Sequence, residues 1–102
     1  MHDILIRIKR AVIAGNVIFT EKATTERELD DLQESDVIES IVTAVAIYKT
    51  IRSTRPRSKG REYLHIIQST NLEGCLVYSK GKLVVHHGIE TYYILISAKR
   101  AI

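Results

Sequence analysis

Cysteine and proline are nearly missing from this chain, and no long apolar run occurs in it. A single cysteine, Cys75, in 102 residues excludes an intrachain disulfide and a Cys-rich zinc site. It fits a reducing compartment. Cys75 sits in the apolar run Gly74-Cys75-Leu76-Val77-Tyr78, which reads as a small core hydrophobe rather than a catalytic thiol. The one proline, Pro56, falls in the polar stretch 53–60. The first apolar run, Ile4-Leu5-Ile6, is broken at once by Arg7, Lys9 and Arg10, too early for a signal segment. Nowhere does the chain approach the ~18 apolar residues of a membrane span. These gaps lead us to expect a cytoplasmic protein. Gly81 and Gly88 are isolated, so neither a Walker loop nor a Rossmann glycine fingerprint is present, and serine lacks the partners of a nucleophilic triad. No cofactor is expected.

What remains is one domain's worth of sequence, 45% hydrophobic and 26% charged, too apolar for a disordered chain. Ile4, Ile8 and Val12 recur at helical spacing with Leu5 beside them, which predicts a helix over 3–14 stopped by Gly15 and Asn16. Val17-Ile18-Phe19 reads as a short extended run. Thr20 is a good cap for a second helix through about Leu32, with Ala23, Leu29 and Leu32 facing inward and Glu21 in its first turn. A third helix is expected over 34–45, burying Val37, Ile41, Ala44 and Val45. The period then changes. Ala46 to Arg52 is β-branched and aromatic, and strand-like runs follow at about 62–69, 74–79 and 90–98. Lys80-Gly81-Lys82 and His86-His87-Gly88 read as breaks around a short strand, Leu83-Val84-Val85. Helices first and strands after predict an α+β fold, with two to three helices packed on an antiparallel sheet of four to five strands.

The formal charge of +3 conceals a segregation. Glu21 to Glu39 holds eight acids and two bases, Lys22 and Arg27; the rest of the chain holds thirteen bases and four acids. Lys49 to Arg61 alone contains six bases and no acid: Lys49, Arg52, Arg55, Arg57, Lys59 and Arg61. The acidic segment is expected to be mainly a solvated helical face. A basic loop beside a tyrosine-bearing sheet suits RNA, because cations neutralise phosphates while tyrosine faces stack on unpaired bases. Its bland counterpart is a solvated loop that keeps a small protein soluble.

The histidines do not suggest a metal site. His86 and His87 are adjacent, so in a strand they point to opposite faces, and no cysteine or carboxylate cluster accompanies them. A surface turn is the better reading. His65 shares a face by alternation with Tyr63, Ile67 and Ser69, opposite Leu64, Ile66 and Gln68. It reads either as a structural histidine or as a general base.

Gly15 to Ala23, Ile41-Val42 and Ile47-Tyr48-Lys49-Thr50, with Val77-Tyr78-Ser79-Lys80 and Ile94-Leu95-Ile96-Ser97-Ala98-Lys99, resemble the MqsR family of toxin ribonucleases along nearly the whole chain. Neighbouring toxin-like families share the extended run, the Thr-x-x-Ala helix and the second helix, many with a histidine where this chain has Lys22. The resemblance implies a RelE/barnase-like fold whose exposed sheet face holds RNA. It implies metal-independent cleavage, in which the ribose 2′-hydroxyl attacks the adjacent phosphate. It also implies an antitoxin partner, commonly with a zinc-binding N-terminal domain. Lysine, tyrosine and glutamine do the work in that family. Its Phe-Tyr-Lys lysine maps onto Lys49, its Val-Tyr tyrosine onto Tyr78 and its C-terminal lysine onto Lys99. The glutamine does not map cleanly. Where the family has Trp-Gln-Asp, this chain has Tyr63-Leu64-His65, and Gln68 is offset. Either His65 takes over the polar role or the strand aligns differently.

The chemistry agrees with those residue types. Charge builds on the phosphate in the transition state, and a preorganised cation stabilises it. Lys49 and Lys99 supply such cations, Tyr78 a donor or stacking face, and Arg52, Arg61 and Lys80 contacts to flanking phosphates. The same residues also read as a snorkelling lysine, an edge aromatic and a solvated chain end. The competing functions are a non-catalytic RNA-binding or protein-interaction domain, and a ligand-binding or purely structural one.

Overall fold

A computed structural model of the chain describes residues 2–53, 62–88 and 90–102. Helix α1 (His2–Ile13) leads into the short strand β1 (Val17–Phe19), then α2 (Glu21–Leu29) and α3 (Glu34–Val42). Strands β2 (Lys49–Arg52), β3 (Tyr63–Thr70), β4 (Leu76–His86) and β5 (Glu90–Arg100) follow. The fold is α+β: one five-stranded sheet in the order β1-β5-β4-β3-β2, with helices packed against it. The sheet is mixed rather than wholly antiparallel, because β1 pairs parallel to β5 at one edge. Asn16 O accepts from Tyr93 N–H and Leu95 O from Thr20 N–H, so the residues flanking β1 extend its ladder. No helix among the described residues is long and apolar enough to cross a membrane.

Helix α1 buries Leu5, Ile8, Ala11 and Val12, one stripe at helical spacing. It ends as its sequence predicts. Gly15, at φ 84°, donates to Val12 O while Asn16 N–H reaches back to Ala11 O, closing the last turn through a left-handed residue. Thr20 caps α2: its Oγ1 accepts from Ala23 N–H at 3.2 Å and donates to Leu95 O at 2.9 Å. The helix stops at Leu29, short of the expected Leu32, because Asp31 turns left-handed (φ 57°). That turn drops Leu32 into the core and leaves Leu29 81% exposed, not inward. Helix α3 likewise ends early, at Val42; Val37 and Ile41 are buried as expected, and Ala44 is buried in the turn that follows. Val45, beyond the last helical turn, is 93% exposed.

The acidic segment does more than face solvent. Glu26 Oε1 accepts from Ser97 Oγ at 2.6 Å and from Ala98 N–H at 3.2 Å, and Asp30 Oδ2 from Arg100 N–H at 2.8 Å. Four helical residues rise about 6 Å and two strand residues slightly over 6 Å. Carboxylates at i and i+4 of α2 therefore match alternate N–H groups of β5, sealing an edge that β1 leaves open. Asp36 Oδ1 accepts from Asn71 Nδ2, and Glu39 Oε1 from Leu72 N–H, tying α3 to the β3–β4 turn.

Lys80-Gly81-Lys82 is not a break. Strand β4 runs through it without interruption, and the register to β5 shifts between Lys80 and Gly81. Lys80 pairs with Ser97 and Gly81 with Leu95, so Ile96 is one extra residue on β5. Gly81 is required there. A Cβ would lie 2.6 Å from Tyr93 Cζ and 2.8 Å from Ile94 O, and the fully buried Tyr93 ring cannot give way. Gly81→Ala should therefore cost about 1–3 kcal/mol by overpacking, read as a lower urea midpoint at unchanged slope. An unchanged midpoint would remove this account of the glycine.

Glu26 generates a second expectation. Desolvation alone would raise its carboxyl. Hydrogen bonds from Ser97 and Ala98 and the Lys22 ammonium at 3.3 Å outweigh this and hold it below the ordinary value of 4.5. A carboxyl with a depressed folded-state value stabilises the fold above the unfolded value, and that contribution disappears as pH falls through the folded one. Stability of the parent chain should thus decline more steeply below pH 4.5 than that of Glu26→Gln. Parallel acid-denaturation curves would count against the interaction.

Candidate functional site

Register divides the sheet into two unlike faces. Ile67, Val77 and Ala98 are fully buried within the core that the helices share with the sheet. The alternate positions form the open face. One row across it runs Gln68 (β3), Tyr78 (β4), Lys99 (β5); the next runs Lys49 (β2), Ile66 (β3), Lys80 (β4). The extra residue at Ile96 makes both sets coexist. Before it Tyr93 and Leu95 point to the core, and after it Lys99 points to the open face although it has their parity.

Lys99 Nζ stands 5.4 Å from the centre of the Tyr78 ring, a cation–π contact between cross-strand neighbours. Gln68 is exposed directly across β4 from that pair. Lys49 is exposed on the same face, but two strands from Lys80, about 10 Å between backbones. It therefore does not converge with Lys99 on one point. A trough of about 340 Å³ lies alongside, lined by the aliphatic Ile51, Leu64 and Ile96, the cations Lys22, Arg52 and Lys80, and by Ser53 and Glu62. Lys82 is already neutralised by Glu62, 3.1 Å away.

No family model, curated protein or solved structure matches this chain.

The expected residues are thus only partly assembled. Tyr78 and Lys99 are brought together, Lys49 and Lys80 share their face, and Arg52 borders the trough. Arg55, Arg57, Lys59 and Arg61 lie outside the described residues. His65 does not join the cations. It sits on the opposite face, 7% exposed, with Nδ1 3.1 Å from Thr50 Oγ1. Gln68 was passed over because it is offset from the family's motif, yet simple alternation already put it opposite His65, on the face where Tyr78 and Lys99 lie. Lys22 is far from the other lining residues in sequence, and only the tertiary fold carries the start of α2 to the trough.

Among the described residues no group of three His, Cys, Asp or Glu side chains is placed to hold a metal ion. His86 closes β4 and His87 turns left-handed (φ 55°), the surface turn that their adjacency suggested.

Burial pushes the His65 imidazole below its ordinary value of 6.5. The unfolded chain then binds the proton first as pH falls, so this residue disfavours the folded state below pH 6.5 and is neutral above it. An NMR titration should show the His65 ring protonating below 6.5. A value at or above that would contradict its buried, neutral placement.

Proposed function

We propose that the open face of the sheet binds single-stranded RNA and cleaves it, in the manner of the MqsR-like toxin ribonucleases that the sequence resembles. The observation that carries this reading is the row Gln68, Tyr78, Lys99, with a lysine over a tyrosine ring at 5.4 Å and Lys80 and Lys49 in the adjacent row. Those are the residue types that the resemblance implies, arriving on one surface from three separate strands.

The reaction is an in-line transesterification. The ribose 2′-oxygen gives up its proton and bonds to the adjacent phosphorus, and the bond from phosphorus to the 5′-oxygen breaks. The 5′-oxygen takes up a proton, leaving a 2′,3′-cyclic phosphate and a 5′-hydroxyl. Charge grows on the non-bridging oxygens as phosphorus becomes five-coordinate. Lys99 and the Gln68 amide supply donors there, and side chains provide the stabilising charge. Tyr78, fixed against Lys99, donates a hydrogen bond or presents its ring to a neighbouring base. Lys49, Lys80 and Lys22 bind flanking phosphates around a trough that accepts ribose and base edges. The antitoxin expected of such a system is a protein that occludes this face.

A second reading, an RNA-binding domain without cleavage, is favoured by the position of His65. No imidazole stands near Tyr78: among the described residues the register places only His86 on the open face, eight residues along β4, roughly 26 Å away.

Incubation of the purified chain with single-stranded RNA in EDTA separates the two. Cleavage to cyclic-phosphate ends should fall by about a hundredfold or more in Lys99→Ala and in Gln68→Ala, and also in Tyr78→Phe. Lys49→Ala and Lys80→Ala should each lower the salt dependence of binding by about one unit of slope. Expression in a heterologous bacterium should arrest growth, with RNA loss, unless Lys99 is replaced. Salt-dependent binding without cleavage would favour the second reading, and failure to retain RNA at low salt would overturn both.

A further inference from the structure

The other side of the sheet carries a separate cleft, of about 640 Å³, between the start of α1 and the β2–β3 edge. Its walls are aliphatic, from Ile4, Leu5, Val45, Ala46 and Ile47. Its polar groups are few. Thr50 and His65 are register partners, joined Oγ1 to Nδ1 at 3.1 Å. Two tyrosines flank this pair along the strands. Tyr48 precedes Thr50 by two residues and is 67% exposed; Tyr63 precedes His65 by two and is 41% exposed.

We propose that this cleft is a binding site for an uncharged, flat heteroaromatic ring with a hydrogen-bonding edge, the chemistry of a nucleobase. Size is the first argument, since the volume falls within the ~300–1,000 Å³ usual for small-molecule sites. Charge is the second. Among the described residues that line it none is acidic and Lys49 is the one cation, so the lining carries little fixed charge. Recognition is the third. The nine-tenths buried His65 is held through Nδ1, and either tautomer of the Thr50–His65 pair leaves Nε2 to donate to or accept from a ring edge. The tyrosines add π faces and apolar area that bases stack on without regard to sequence. The site differs from that of the cleavage reading, since it uses none of Gln68, Tyr78 or Lys99 and shares with it only Lys49, at the β2 edge. The ring arrives either as a free nucleoside or as an unpaired base of an RNA strand carried round the β2 edge.

Amide NMR of the full chain distinguishes these sources. Adenosine, guanosine, cytidine and uridine are titrated first, then a short single-stranded RNA. Saturable shifts at Leu5, Ile47, Thr50 and His65 with a nucleoside support a free ligand; the same shifts with the oligonucleotide alone support a strand base. In either case the surface change Tyr48→Ser should weaken binding at least about fivefold, and Thr50→Val should weaken it while the circular dichroism spectrum is unchanged. Equal affinity for benzyl alcohol would overturn the proposal, and so would no cleft shifts with either probe. Shifts confined to Gln68, Tyr78 and Lys99 would overturn it too, while leaving the RNA-cleavage reading intact.

Discussion

At Ile96 strand β5 holds one residue more than its partner, and the two faces of the sheet depend on that insertion. N-terminal to it, Tyr93 and Leu95 enter the core; C-terminal to it, Lys99 emerges beside Tyr78. Without the extra residue, alternation would send Lys99 to the same side as Leu95. Three groups hold the irregularity in place. Gly81 leaves room for the Tyr93 ring opposite, Ser97 turns its hydroxyl to Glu26, and the same carboxylate takes the Ala98 N–H. The bulge is thus supported from the core side by close packing and from the edge by a helix.

Charge segregation acquires a structural meaning from this arrangement. Glu26, Asp30, Asp36 and Glu39 use their carboxylates to bind β5 or the turn leading into β4, so half of the eight acids of the 21–39 segment serve as fasteners. Glu26 and Asp30 satisfy N–H groups of β5 that would otherwise be unpaired at a sheet edge, Glu39 takes the Leu72 N–H of the turn, and Asp36 holds the Asn71 side-chain amide. Of the cations, Lys82 is paired with Glu62, Lys22 with Glu26 and Arg27 with Glu34. Among the described residues Lys49, Lys80 and Lys99 are cations of the open face with no carboxylate paired to them.

The two faces consequently offer different chemistry. The open face presents amines, an amide and a phenol beside a trough of mixed aliphatic and charged lining. The cleft across the β2–β3 edge is larger and mostly aliphatic, with the buried His65 in its lining. His65 falls on the second side because Ile67, two residues on, is a core residue, and strand alternation leaves it no other position.

Periodicity and capping residues were enough to place three helices, the first strand and the α+β order, because Thr20, Gly15 and the α1 stripe act through local geometry. Helix ends at Leu29 and Val42 were not readable, since the left-handed Asp31 and the buried Ala44 answer to tertiary contacts. Nor was the continuity of β4, because Lys80-Gly81-Lys82 looks like a turn until Tyr93 is seen to need a glycine opposite. The β5 sequence from Tyr92 to Ser97 is apolar on nearly every residue, so its alternation carries no phase. By itself the sequence determined which cations and phenol the strands carry: Lys49, Tyr78, Lys80 and Lys99. Only the sheet register and its bulge decided that Gln68 joins Tyr78 and Lys99 and that His65 faces away, because the pairing of distant strands sets which side chains share a surface.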